Sequence, residues 1–251
     1  GPDARRDYLV QYAVFHEDMH TEAFTYTRQT LGYPAPAIGH ADKDEAATDE
    51  LFTDVCIPGG IFLLGADRQD GFVFDNEKWG GPHRVAPFRI ARTAVTQGEF
   101  AGFVDAGGYR AREYWSDEGW EWRQGQGRDQ PVYWRRTDDG WQRRHFDRWL
   151  PLQSRAAMIH VSWHEAQAYC RWAGRRLPIE LEWEVAAAGQ PSTDGQSLGP
   201  SKRRYPWGED EPTAKRANLD VYALCTIDVT SLPAGDSAFG CRQMIGNVWE
   251  W

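Results

Sequence analysis

The sequence has few cysteines, four in 251 residues (Cys56, Cys170, Cys225, Cys241), and none of them stands in a CxxC spacing. That disfavours both a dense disulfide framework and a structural zinc site. Long apolar runs are absent as well: nothing approaches the roughly 18 residues a membrane-spanning helix needs. No basic stretch leads into an apolar one at the start, so no secretion signal is read, and a reduced, cytoplasmic protein is the expectation. Positive charge is in deficit, with 28 Lys and Arg against 37 Asp and Glu and a formal charge of −9. Such a chain presents no general basic face for nucleic acid or for an anionic membrane. What is abundant is Trp (13) and Tyr (10). They reconcile a 41% hydrophobic content with a mean hydropathy of −0.67, because they score as polar yet bury large areas.

The chain has two textures. From Arg6 to Leu31 there is no Gly or Pro, and Tyr8, Leu9, Tyr12, Phe15, Met19, Ala23, Phe24 and Leu31 recur at helical spacing. Gly32 and Pro34 then supply the stop signals of a helix end. A single amphipathic helix of this length cannot bury its own apolar face, so residues 1–34 are expected to belong to a helical bundle whose other helices lie elsewhere. Residues 35–51, rich in Ala, Pro and acid, read as a linker. From residue 52 to Trp251 the segments are short and punctuated by glycine. Gly59–Gly65 reads as a strand, and Thr96-Gln97-Gly98-Glu99 and Ser162-Trp163-His164-Glu165 are capping boxes that open helices. Pro178 is expected in the first turn of a third helix over Ile179–Ala188, stopped by Gly189. Residues 113–149 hold six of the 13 Trp and read as long irregular segments. An α+β domain with large loops follows, and the chain reads as truncated at both ends.

The sharpest chemical signal is His16-Glu17-Asp18-Met19-His20. On a helix, positions i and i+4 lie one above the other, so both imidazoles project from one face and can grip one first-row metal ion. Two metal readings are open: a zinc hydrolase using the formal H-E-x-x-H pattern with Glu17 as general base, or a non-haem iron site with a third ligand from another helix. The bland alternative is a metal-free histidine pair at a helix contact. Tyr12, Ala23 and Thr27 continue the stripe, which is therefore expected to face the packed side. Glu22 is a candidate acceptor that would orient an imidazole. Elsewhere His160 and His164 are candidates to line a cleft, with a structural role as the plainer reading, and Cys170 reads as a buried small hydrophobe. Oxygens around Asn218-Leu219-Asp220 and Gly246-Asn247-Val248-Trp249-Glu250-Trp251 are candidates for calcium, with ordinary turn and core roles as the alternative.

Three ordered segments, RLPIELEWEVAAAG (176–189), YPWGEDEPTAKRANLD (205–220) and GNVWEW (246–251), resemble the formylglycine-generating-enzyme, or sulfatase-modifying-factor, domain, which has a C-type-lectin-like fold. The resemblance covers residues 52–251. HEDMHTEAF (16–24) resembles the final metal-binding helix of a damage-inducible-type four-helix bundle, and the two together are the layout of the ergothioneine, selenoneine and ovothiol synthases. GFVFDNEKWGGPHRV (71–85) resembles that group as well.

The resemblance implies an iron(II) enzyme that uses O2 to join a sulfur or selenium donor to C2 of the imidazole of hercynine, the Nα-trimethylated histidine. His16 and His20 match two of the three iron ligands. The third ligand, the catalytic tyrosine and the formylglycine cysteines fall outside these residues. Met19 stands where some members carry a substrate-contacting Gln. Calcium is implied as a second ion, at Gly246, Val248 and Glu250 or at Asn218 and Leu219, with Gln243 replacing a frequent Asn. The Trp and Tyr of residues 113–149 become candidates for cation–π contact with the trimethylammonium group. A lectin-like binding module carrying a non-catalytic bundle is the alternative from a different class.

Overall fold

The computed structural model describes residues 3–38, 52–68, 71–219 and 224–251. Helix α1 spans Ala4–Leu31. It opens on Asp3, whose carboxylate accepts the Arg5 and Arg6 amides, and closes on Gly32 at φ 67°. It thus starts two residues before the expected Arg6. Gly32 is needed there because the left-handed cap conformation penalises a Cβ. Most of the expected linker lies outside the described residues.

The remainder combines short antiparallel pairs with short helices. Strands β1 (Asp54–Ile57) and β4 (Phe88–Ala91) pair with Val55 opposite Ile90, and β2 (Gly60–Leu64) and β3 (Gly81–Val85) with Phe62 opposite His83. Helix α5 (Glu180–Ala188) lays Val185, Ala186, Ala187 and Ala188 on Val55, Ile57, Phe62 and Val85, and Cys241 and Met244 complete this first core. Strands β8 (Gly189–Pro191) and β9 (Leu198–Lys202) follow α5, and the Leu198 amide joins them to the β1–β2 turn at Gly59 O, 3.1 Å away.

A second core is almost wholly aromatic. Helices α2 (Gln97–Asp105) and α4 (Trp163–Trp172) bring Phe100, Phe103 and Tyr169 together with Tyr109, Trp115 and Trp134. The Phe100 and Tyr169 rings stack at 5.4 Å. Both helices begin with the expected reciprocal caps: Thr96 with Glu99, and Ser162 with Glu165. Glu165 also accepts from the Tyr109 hydroxyl inside the core, and burial raises the proton affinity of both groups. Cys170 is buried there as expected, and burial raises its thiol pKa.

Two expectations need correction. Residues 113–149 are not irregular. They form helix α3 (Asp117–Gly125), capped by Ser116, and most of a three-stranded antiparallel sheet of β5 (Trp134–Thr137), β6 (Gly140–His145) and β7 (Arg148–Pro151). Pro178 precedes the N-cap Ile179 of α5 instead of occupying its first turn. A proline suits that place because it disfavours helical geometry in the residue before it.

Candidate metal centre

The centre is built on α1. His16 Nε2 and His20 Nε2 lie 3.0 Å apart, with the rings nearly perpendicular at 88°. Two imidazole nitrogens bound at about 2.1 Å in cis positions of one octahedral ion stand about 3.0 Å apart, so the pair fits two ligands of one metal. The same separation suits a hydrogen bond if one ring carries its proton on Nε2. Among the described residues no group of three or more His, Cys, Asp or Glu side chains surrounds a common point. The two histidines therefore form a partial donor set.

The surroundings differ from expectation. Both histidines are exposed among the described residues instead of facing a packed side. Glu22 does not orient an imidazole: its Oε1 accepts from Trp249 Nε1 at 2.6 Å. The reason is helical geometry, since at about 100° per residue Glu22 projects some 160° away from His20. The groups that do flank the pair come from α1 and from the segment ahead of β3. Tyr12 lies parallel to the His16 ring (12°, centroids 6.2 Å apart) and meets Phe74 edge-on at 5.7 Å. Phe72 stacks on Tyr8 at 5.1 Å and packs against Phe15 at 4.8 Å. The Lys78 ammonium sits 3.9 Å from the Tyr8 ring centroid, a cation–π contact at the edge of the same aromatic seat.

The tryptophans of residues 113–149 are engaged elsewhere. Trp115 and Trp134 are core residues, while Trp120, Trp141 and Trp149 carry Arg123, Arg136 and Arg135 against their rings. His164 is wedged between Trp122 and Trp163, with Nδ1 buried and without a hydrogen-bond partner. His160 meets Tyr133 edge-on, and burial, reinforced by Arg144, Arg143 and His145, lowers its pKa to about 4.

Three of the oxygens suggested for calcium accept hydrogen bonds within the protein. Asn218 O accepts the Asn247 amide at 3.0 Å, Gly246 O accepts the Val248 amide at 2.8 Å, and Glu250 Oε2 accepts Trp183 Nε1 at 3.1 Å. Gln243 Oε1 accepts Asn247 Nδ2 at 2.7 Å within the second of these loops. Asp220 lies outside the described residues.

The sequence reading missed three groups that seat α1: the Phe72–Phe74 pair, Trp249, and Gln29. The buried Gln29 side chain donates to Arg144 O at 3.0 Å and accepts the Phe146 amide at 2.5 Å. On α1 itself, Gln29 and the residues that meet the other two groups, Tyr8, Phe15 and Glu22, are spaced by seven, while nothing local marks Phe72, Phe74 or Trp249 as their partners.

The chain thus joins a histidine-bearing helix to a mixed α+β domain of short antiparallel pairs and capped helices. A family model described as a sulfatase-modifying factor enzyme 1-like domain matches residues 40–251, and the chain belongs to that family. Among curated relatives, the hercynine oxygenase of Mycobacterium tuberculosis (strain H37Rv) is 44% identical over 191 residues, covering 76% of this chain and 43% of the relative. That of Mycolicibacterium thermoresistibile is 44% identical over 200 residues, covering 79% and 43%. The formylglycine-generating enzyme of Thermomonospora curvata is 31% identical over 232 residues, covering 78% and 69%. The chain spans less than half the length of the hercynine oxygenases it matches.

Proposed function

We propose that the chain is part of a non-haem iron(II), O2-dependent oxidoreductase acting on hercynine and forming a carbon–sulfur or carbon–selenium bond at the imidazole C2. The observation that carries this reading is the His16–His20 pair, two imidazole nitrogens 3.0 Å apart on a helix seated on a domain that is 44% identical to hercynine oxygenases. Domain identity alone supports a hercynine-related oxygenase; the helix supplies the reason to expect iron. His16 and His20 would hold the ion through two neutral nitrogens, leaving its third protein ligand to a preceding helix of the same protein. The far face of α1, where Val10, Phe24 and Leu31 are exposed, would be covered by those helices.

When bound, the iron supplies O2 activation and a site where a thiolate or selenolate is stabilised as its anion. What these residues themselves contribute is orientation and exclusion of water. Tyr12, Phe72 and Phe74 wall the domain side of the histidine pair with apolar rings. Holding substrate, donor and ion in one cleft replaces a many-body encounter by a preorganised complex.

The test is made on full-length protein loaded anaerobically with Fe(II), then given hercynine, O2 and a panel of donors: cysteine, γ-glutamylcysteine and a selenosugar. A hercynine adduct bearing sulfur or selenium in the mass spectrum is the expected product, and which donor reacts separates the two branches. His16→Ala or His20→Ala is expected to lower iron binding at least tenfold and to abolish the adduct. Zinc as the native metal with no O2 uptake, or bound iron with no adduct from any donor, would overturn the reading.

A further inference from the structure

Tyr8, Phe15, Glu22 and Gln29 are spaced by seven residues and make the main contacts between α1 and the domain. Tyr8 and Phe15 pack on Phe72, Phe15 also meets Phe74, Glu22 accepts from Trp249, and Gln29 bonds Arg144 O and Phe146 N. A seven-residue repeat drifts only about 20° per step on an α-helix, so these four side chains form one seam along the whole of α1. Around the helix, Tyr12 lies about 60° from the seam, His16 about 100° and His20 about 140°. The seam therefore decides which way the histidine pair faces.

Its members differ in what they can specify. The aromatic contacts can be satisfied by either offset-stacked or edge-on arrangements, and the seam itself uses stacked, tilted and edge-on pairs, so they specify rotation less sharply. Glu22 and Trp249 are both exposed. Gln29 alone among α1 residues is buried, at 5% exposure, and its amide meets one carbonyl at the end of β6 and one amide of the turn that follows it. A one-residue rotation of α1 would withdraw the side chain and leave both backbone groups buried without a partner. Around it, the Arg144 guanidinium bonds Thr30 O at 3.3 Å, and the Tyr133 hydroxyl bonds Thr30 Oγ1 at 3.3 Å.

We propose that Gln29 is a positioning residue, the register pin of this seam, which fixes the rotation of α1 and with it the direction in which the His16–His20 pair opens beside Tyr12 and Phe74. The inference deepens the functional reading and, for its catalytic consequence, rests on it. The pin acts on the orientation of the helix, not on the two nitrogens, which lie on the helix itself.

The experiment compares full-length wild type with Gln29→Met, which keeps the volume and removes both bonds, and Gln29→Glu, which sets an oxygen against Arg144 O. Amide hydrogen exchange is read by mass spectrometry, Fe(II) binding by titration, and turnover with hercynine. Exchange across residues 20–32 and 144–146 should rise roughly tenfold while β1–β4 keeps its protection. Fe(II) affinity should stay within about twofold, and kcat should fall more than KM rises. Unchanged exchange in α1 would overturn the proposal. So would an equal rise through β1–β4, which would make Gln29 an ordinary core residue, and so would iron affinity falling in step with turnover. If the wild type binds no iron, the functional reading fails, while the exchange comparison still decides whether Gln29 pins the helix.

Discussion

At the scale of single residues, His160 shows how a fold changes a side chain that sequence alone leaves undecided. Its backbone is left-handed, at φ 61°, and it meets Tyr133 while Arg143, Arg144 and His145 raise the local positive potential. Its pKa of about 4 in the fold lies below the usual 6.5, so between those values the unfolded chain binds the extra proton. The stability tied to neutral His160 is complete above pH 6.5 and is lost as pH falls toward 4. His145 is shifted downward too, by burial and by Arg143, and adds in the same direction. The residue keeps an exposed surface, so solvent screening trims the effect. His160→Asn, with a residue that tolerates left-handed backbone, should flatten the change in urea midpoint between pH 7.5 and 4.5. An identical change in wild type and variant would refute this account. Nothing in the sequence marked His160 for such a shift, because the basic residues that depress it belong to β6, on a different segment of the chain.

At the scale of elements, legibility followed chemistry that acts within a few residues. The capping boxes at Thr96 and Ser162 and the glycine stop of α1 depend on neighbours three or four positions away, and the sequence displayed them. The β5–β7 sheet was not legible. Its strands are four to six residues long and carry Arg135, Arg136, Arg143, Arg144 and Arg148, so their pattern reads as polar. The charges are accommodated by cation–π contacts with Trp149 and Trp141 and by Gln153 bonding Arg143, partners supplied by tertiary structure. The one local hint of the hairpin is its two-residue turn, Asp138-Asp139, followed by Gly140 at φ 116° as the first residue of β6. Capping yields a prediction of opposite signs. Ser162→Ala should cost about 1 kcal/mol, since the hydroxyl bonds both Glu165 groups. Helix α5 has only half such a cap: Glu182 accepts the Ile179 amide at 3.0 Å, but Ile179 offers no oxygen in return. Ile179 is 58% exposed, so Ile179→Ser sacrifices little burial and should gain roughly 0.5–1 kcal/mol. Thermal unfolding of both variants checks the pair, and destabilisation by Ile179→Ser would mean that its side chain packs more than its exposure implies.

At the scale of the whole molecule, the histidine pair was visible in the sequence, whereas the surface that aims it was not. His16 and His20 are four residues apart on one helix, while their walls come from residues 72–74 and the stops on rotation from Trp249 and from the β6–β7 turn. Contacts between segments far apart in the chain, Phe15 with Phe72 as well as Glu22 with Trp249, leave no local pattern beyond a sevenfold spacing, which by itself does not name its partner. The polar contacts of the seam should also be unequal in strength. Glu22 and Trp249 make a short, charge-assisted bond, but both are exposed, so water competes for each group and salt screens the carboxylate. Gln29 bonds where no water replaces a lost partner. A double-mutant cycle of Glu22→Gln and Trp249→Phe, read as α1 amide protection, should therefore give a coupling below about 1 kcal/mol that shrinks further at high salt. A coupling that is large and indifferent to salt would instead place Glu22 in a desolvated contact of the assembled protein, and the orientation of the histidine helix would then be shared between two pins.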